Sequence, residues 1–477
     1  MPTSMCSAPG AAGCSKPASI GATIQGALLL RIIPLLAGLL LALGFVPVLQ
    51  AQTAPAAAAA SAPAQASPVS ATARRVYEQA RSQLLQIRTL LQNQDSQASV
   101  GSGFLVSEDG HVITNYHVIS QAALEPSRYR LRYATTDGRQ GELQLLDFDV
   151  RRDLALLKIA GDGLRGVAPL RFRPPEQPLA KGDRIYSMGN PHDVAFAVVE
   201  GTYNGMVERS FDELIYYSGS INSGMSGGPV VDEQGRVVGI NVSAMFFAQQ
   251  MSFLVPAPYA SALLARSRDA KAMAGPAWPD LRQQLMAYQD ELSARFIAQP
   301  WRSADHDRYR LPVPQEDFMR CWGRGTPADS KGLEFQRSQC RMEHAIFING
   351  GLQTGFLNMA HEAYDGSKLG AARFAKQYTA SFRNENLGRN DKHRTAPHCK
   401  EDFVQQADGK GPPLRAVICL RAYRKLKGLH DLSVLVTTVD GRTEGALGRF
   451  DAHGVSFDNA LRLSAHYLGG FGWTRAQ

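Results

Sequence analysis

The sequence predicts a mainly β protein with a smaller α+β part at its C-terminal end. Two observations carry this. From Gln83 to Pro258, short apolar runs alternate with turn signals and no long helical period interrupts them. Many short strands in series indicate a sandwich or barrel. Beyond about residue 300, strand and helix signals mix, and four cysteines appear. The 477 residues are 44% hydrophobic and 20% charged, which excludes a fully disordered or fibrous chain. The net charge of +8 is uneven, with 26 basic and 19 acidic residues from Trp301 onward. No Lys/Arg run there is of nucleic-acid type; the nearest, Arg421 to Lys427, is short and broken by apolar residues. No nucleic-acid partner is expected, and the excess charge reads as a basic solvated surface.

Taken in order, Ile32 to Leu49 carry no charge, follow Lys16 and Arg31, and precede the small residue Ala51. A basic flank, an apolar core and a small residue make an export signal, here residues 1–51. The alternative is a retained membrane anchor. A spanning helix needs about 20 apolar residues, and Pro34 and Pro47 interrupt this stretch. Either way the rest of the chain lies outside the cytoplasm: periplasmic or secreted, or tethered to a membrane and facing the periplasm. Residues 52–73 are almost wholly Ala, Pro, Ser, Gln and Thr, the composition of a flexible linker.

Cysteine usage agrees with export. Cys6 and Cys14 would leave with the signal, and Cys321, Cys340, Cys399 and Cys419 remain. An even number in an exported chain suggests two disulfides. Three connectivities are open. The local pairs Cys321–Cys340 and Cys399–Cys419 are favoured because each closes a loop of about 20 residues. The spacings lack the close C-x-x-C pairs of structural zinc sites, so no metal is expected.

A short helix from Arg74 to Arg81 precedes the strands. The strand runs include LLQIRTLL, HVITNYHVI, LALLKIA, RIYSMGN and MSFLVP, with hairpin turns at Glu108-Asp109-Gly110 and Asp232 to Gly235. Within them, Gly224-Met225-Ser226-Gly227-Gly228-Pro229 is the sharpest motif. Glycines around a serine expose its hydroxyl and let backbone N–H groups converge on one point, as an oxyanion hole requires. An α/β-hydrolase elbow needs a helix directly after the serine and the order Ser…Asp…His. Here strand, turn and strand follow Ser226, so that reading fails. A serine in an all-β protease demands His…Asp…Ser. His117 at the end of the HVITNYHV strand, Asp153 before LALLKI, and Ser226 supply that order.

On these residues, the stretch from about Val76 to Arg266 resembles the HtrA/Deg-like branch of the chymotrypsin-type serine proteases. The carrying segments are GSGFLVSEDGHVITNYHV, RRDLALLKI, YSMGNP, GSINSGMSGGPVVDEQGRVVGIN and QQMSFLVPAPYA, in the family's order. The resemblance implies two six-stranded β-barrels with the active site between them, over residues 74–268. It implies polypeptide substrates and no cofactor. Ser226 would attack the scissile carbonyl, His117 would move the proton, and Asp153 would hold the imidazole. The amides of Gly224 and Ser226 would bind the oxyanion.

There are departures from the family's pattern. The family has Asn or Asp before the serine, and this chain has Met225. The hole uses backbone N–H groups, so the change bears on the loop that presents them. The alternative function is a catalytically weak or inactive, protease-like peptide-binding protein acting through its C-terminal domain. In the trypsin-like pattern an acidic residue six before the serine selects Lys or Arg, and here Ser220 stands there. Ser220, Ile221, Asn222, Val242 and Ser243 are the candidate substrate-pocket residues. The apolar segment Val242 to Phe247 points to a small or medium aliphatic side chain in that pocket. His111 is expected at the surface of its turn.

Pro258 to Arg268 reads as the helix closing the protease part. Pro279 to Ile297 is a second helix, in a connector over residues 269–300, with Leu281, Leu285, Tyr288, Leu292 and Phe296 at helical spacing as a packing stripe. Residues 301–477 form an α+β domain of unknown role. Its strand candidates are His344 to Asn349, Arg415 to Arg421 and Leu432 to Thr438, and its helix candidates Gly370 to Phe382 and Ser456 to Tyr467. The family commonly carries PDZ domains at this place, but no peptide-carboxylate loop is found. No P-loop, EF-hand or H-E-x-x-H pattern occurs either. His361, His393, His398, His430, His453 and His466 are scattered, which makes a surface or capping role the expectation for each.

Overall fold

The computed structural model describes residues 70–244, 251–306, 308–315, 318–327, 329–382, 387–405, 409 and 411–474. The expected export signal, most of the linker, Cys6, Cys14 and the apolar Met245 to Phe247 lie outside the described residues. Helix α1 (Ala71–Ala80) opens on Ser70, whose hydroxyl accepts the Ala73 N–H at 3.0 Å. Strands β1 (Leu84–Leu91), β2 (Gln97–Leu105), β3 (His111–Thr114), β4 (Tyr129–Thr135), β5 (Gln140–Asp149) and β6 (Leu154–Ile159) close one barrel in the order β1-β2-β3-β6-β5-β4. Helix α2 (Tyr116–Leu124) follows β3 directly.

Strands β7 (Arg184–Gly189), β8 (Ala197–Met206), β9 (Ile215–Tyr217), β10 (Pro229–Val231), β11 (Val237–Ala244) and β12 (Ser252–Pro256) close a second barrel, and α3 (Ala257–Ser267) follows it. The two-barrel, mainly β fold is therefore present. Strand β6 shows why both barrels need long apolar runs. Its side chains alternate, Ala155 and Leu157 facing one core and Leu154 and Leu156 another. The second of these cores also holds Phe104, Ile113, Tyr186, Val231 and Val255, so it joins strands of the two barrels.

Helix α4 (Trp278–Ala298) carries Pro279 in its first turn, and its stripe Leu281, Leu285, Tyr288, Leu292 and Phe296 is buried. Beyond it, β13 (Arg302–Asp305) and β14 (Tyr309–Val313) pair. Then come β15 (Met319–Gly325), β16 (Glu334–Met342), the hairpin β17 (Ile346–Asn349) and β18 (Leu352–Thr354), and β19 (Phe356–Asp365). Helix α5 (Ala371–Ser381), β20 (His398–Val404), β21 (Leu414–Ala422), β22 (Leu429–Thr438), β23 (Glu444–Ser456), α6 (Phe457–Gly469) and β24 (Gly472–Trp473) complete the chain. β24 joins β13 and β14 in a small sheet.

The main C-terminal sheet is antiparallel, in the order β15-β16-β19-β23-β22-β21-β20. Alternation again sorts the faces. Val434 and Val436 point into the core shared with α4 and α6, whereas Leu435 and Leu447 meet Phe374 of α5 on the other side. Both edge strands are stapled to their neighbours. Cys321 pairs with Cys340 across β15 and β16, and Cys399 with Cys419 across β20 and β21, each directly opposite in register. A bonded edge resists peeling, which matters where a strand has a partner on one side only.

One apolar core runs without a break from the first barrel, through α4, into this sheet. It includes Ile87, Tyr116 and Phe148 as well as Leu292, Phe296, Val434 and Phe450. Two histidines depart from the surface role expected of them. His361 is 2% exposed because β19 lies inside the sheet and turns it inward, and burial lowers its pKa to about 4. His111 is also 2% exposed. Its ring spans the Ser107 hydroxyl at 2.6 Å and the Arg268 carbonyl at 2.9 Å, tying the β2–β3 turn to the end of α3.

Candidate active site

His117 stands in the first turn of α2, not at a strand end as its apolar run suggested. Asn115 occupies the N-cap position, but its side-chain amide donates to the Asp153 carbonyl at 2.8 Å instead of capping the helix. The Tyr116 N–H donates to the same carbonyl at 3.1 Å. The backbone of Asp153 is left-handed, with φ +54°, a conformation that aspartate tolerates better than most residues. Thus held, its carboxylate accepts the His117 N–H at 2.8 Å and the His117 Nδ1–H at 2.5 Å.

That bond fixes the imidazole tautomer and leaves Nε2 as the acceptor. Burial pulls the imidazole pKa down. The charge and hydrogen bond of Asp153 outweigh it and hold the pKa above its ordinary value. The side chain keeps 28% of its surface accessible, so it stands at the edge of open space.

The serine comes from the loop before β10. Gly224 has φ +94°, and a Cβ there would stand 2.4 Å from the Asn190 carbonyl, so no other residue fits without moving the loop. The Ser223 carbonyl accepts the His192 N–H at 2.7 Å, which turns the N–H of Gly224 the opposite way across the planar peptide. The Gly224 carbonyl accepts from the Ser102 hydroxyl at 2.7 Å, and that hydroxyl in turn accepts the Asn190 N–H at 2.9 Å. The Met225 N–H donates to Asn222 at 3.0 Å. Among the described residues, the N–H groups of Gly224 and Ser226 have no acceptor, which is what a hole for a developing oxyanion requires.

The backbone around Ser226 approaches the strand and turn that lead into α2. The Ser226 carbonyl accepts the Ser102 N–H at 2.7 Å. A Cβ on Gly227, at φ +83°, would lie 2.4 Å from Thr114 Oγ1 and 2.8 Å from the Asn115 N, in the turn that leads into His117. Among the described residues, the Ser226 hydroxyl has no hydrogen-bond partner. Such bonds are often long before substrate arrives and tighten in the complex.

Met225, the departure from the resembling pattern, is fully buried. It packs with Ile185, Tyr217, Ile221, Val230 and Leu254 inside the second barrel, so the loop is anchored by an apolar side chain. Asn241 completes the clamp: its side-chain amide donates to the Met188 carbonyl at 3.0 Å and the Met225 carbonyl at 3.2 Å. Sequence reasoning assigned no role to Ser102, His192 or Asn241. Ser102 and Asn241 fall inside segments carrying the resemblance, and His192 directly follows one, which was their only signal.

Of the candidate pocket residues, Ser220 and Asn222 are exposed and Val242 is half-buried. Ile221 is 7% exposed and belongs to the barrel interior beside Met225. Ser243 lies in β11 opposite Phe253. Among the described residues no group of three or more His, Cys, Asp or Glu could hold a metal ion.

Comparison with known proteins places the similarity in the first half of the chain. Residues 101–240 match the family described as Trypsin-like peptidase domain. The "Serine protease HTRA1" of Xenopus tropicalis is 32% identical over 181 residues, 36% of this chain and 37% of that protein. A "Probable periplasmic serine endoprotease DegP-like" of Chlamydia trachomatis is 32% identical over 155 residues, 31% of this chain and 29% of that protein. The chain thus spans about a third of the length of these curated relatives. A crystal structure of the serine endoprotease from Yersinia pestis aligns with a TM-score of 0.36 and 24% identity, covering 42% of this chain and 67% of that one. Residues 101–240 thus carry the similarity to trypsin-like peptidase domains, and the similar relatives are HTRA1 and DegP-like serine proteases.

Proposed function

We propose that the protein is a serine endopeptidase of the cell envelope or exterior, cutting polypeptides through Ser226, His117 and Asp153. The observation that carries this is the histidine held by Asp153 through Nδ1, together with a glycine-turned serine loop in which, among the described residues, the N–H groups of Ser226 and Gly224 have no acceptor. With Nδ1 engaged, Nε2 takes the Ser226 proton as its oxygen attacks the carbonyl, then returns it to the leaving amine. Asp153 stabilises the imidazolium between these steps. The N–H groups of Gly224 and Ser226 hold the tetrahedral oxyanion, and losing one such donor typically costs about 10²–10³ in rate.

A location outside the cytoplasm is supported by the periplasmic relatives and by the N-terminal apolar stretch. The arrangement of residues 74–268 as protease, 269–300 as connector and 301–477 as a C-terminal domain is part of the same reading. Ser220 and Asn222, exposed beside the serine loop, with Val242, would receive a small or medium aliphatic side chain, since no acidic residue stands six before Ser226.

The test is labelling of the exported form with a fluorophosphonate probe, beside Ser226→Ala and His117→Ala. The expected result is a labelled wild type and two silent variants. An unlabelled wild type, even with peptide present, removes the protease reading and leaves a peptide-binding protein. Cleavage after Lys or Arg in a peptide library would remove the aliphatic pocket alone.

A further inference from the structure

A residue of the C-terminal region stands at the histidine. In β17, Ile346 and Ile348 are at most 1% exposed and enter the core shared with Tyr116. Between them Phe347 stays half-buried at the edge of that core, and its ring meets His117 edge-on, with centroids 6.0 Å apart and planes at 74°. We propose that Phe347 is the wall of an apolar substrate subsite beside the scissile bond, so that the C-terminal region takes part in choosing which peptide is cut. This rests on the protease reading above.

Three features support it. First, a general base lies within hydrogen-bond reach of the reacting atoms. A ring in contact with that base therefore lies within side-chain reach of a substrate residue flanking the bond. Second, the hairpin is fixed. The Tyr116 hydroxyl, one residue from His117, donates to the Ile348 carbonyl at 3.2 Å. The Tyr288 hydroxyl of α4 donates to the Gly355 carbonyl at 3.0 Å, and the Thr354 and Tyr423 hydroxyls bond at 2.8 Å. A rigid wall selects, whereas a loose loop would yield. Third, the imidazole stays 28% accessible beside Phe347, so the ring flanks the histidine without plugging the site. The ring carries no hydrogen-bonding group, which makes a bulky apolar side chain the ligand class.

The experiment profiles a peptide library with the wild type, Phe347→Ala and Phe347→Leu, with fluorophosphonate labelling of each. The readout is the ratio of kcat/KM for leucine over glycine at each position flanking the cut. At one position that ratio should fall about tenfold or more in Phe347→Ala and be partly kept in Phe347→Leu. An unchanged profile in Phe347→Ala overturns the proposal. So does an equal loss toward every peptide together with lost labelling, which would make Phe347 a prop for His117. If the wild type does not label, the protease reading falls by itself. The subsite is then read from binding of the same peptides to Ser226→Ala and Ser226→Ala/Phe347→Ala, where equal binding overturns it.

Discussion

Asp153→Asn should lower kcat by about 10⁴-fold while the protein stays folded. Asparagine keeps the left-handed backbone at this position, and the bonds from Asn115 and Tyr116 go to the main-chain carbonyl, which the substitution leaves in place. What is lost is the acceptor that fixes the tautomer of His117. The pH profile separates this from general damage. Burial alone lowers the imidazole pKa, and Asp153 is what raises it. In the wild type the acid limb of kcat/KM therefore lies above the ordinary histidine value, because the base must be neutral. In Asp153→Asn it should move below that value.

Stability carries the opposite sign. The protonated pair favours the wild-type fold below the ordinary histidine pKa, and that contribution disappears as pH rises through the raised folded value. Activity within tenfold of wild type, or an unmoved acid limb, would refute the role given to Asp153.

The three proposed triad residues stood out in the sequence because each sits in a short, strongly constrained segment. Glycines at 224 and 227 are demanded by positive φ and by backbone approach, and such demands are written locally. Helix α4 was legible for a similar reason, since its apolar stripe repeats at helical spacing. The placement of Phe347 was not. It depends on α2 and a hairpin more than two hundred residues later sharing one core, and no local pattern encodes which surface a hairpin covers. His111 misled because a histidine next to a turn resembles a surface residue. Its burial depends on the Arg268 carbonyl, an acceptor at the far end of the protease stretch. Met225 looked like a defect in the serine loop, and only packing shows that it fills the second barrel.

The same long-range assembly predicts the largest stability effect. Arg151, two residues before Asp153, donates to Asp212 in the second barrel and to Glu291 of α4, the latter at 2.6 Å. Its guanidinium lies 5.2 Å from the Phe211 ring centroid and 5.1 Å from that of Tyr288. Asp212 is only 6% exposed, and burial raises its pKa even though Arg151 opposes the shift. Arg151→Met keeps a long apolar stem between the rings but strands the Asp212 carboxylate. The expected cost is about 3–5 kcal/mol of unfolding free energy. A carboxylate whose folded pKa is raised destabilises above that pKa and is relieved as pH falls through it. The Arg151→Met deficit should therefore shrink in acid.

Asp212→Leu added to Arg151→Met should restore most of the loss, because it removes the stranded charge. Glu291, half exposed, should contribute about 1 kcal/mol or less. Denaturant unfolding of the four proteins in this cycle decides the matter. A single Arg151→Met within about 1 kcal/mol of wild type, or a double variant no better than the single, would mean the barrels and α4 are not bolted together at this residue.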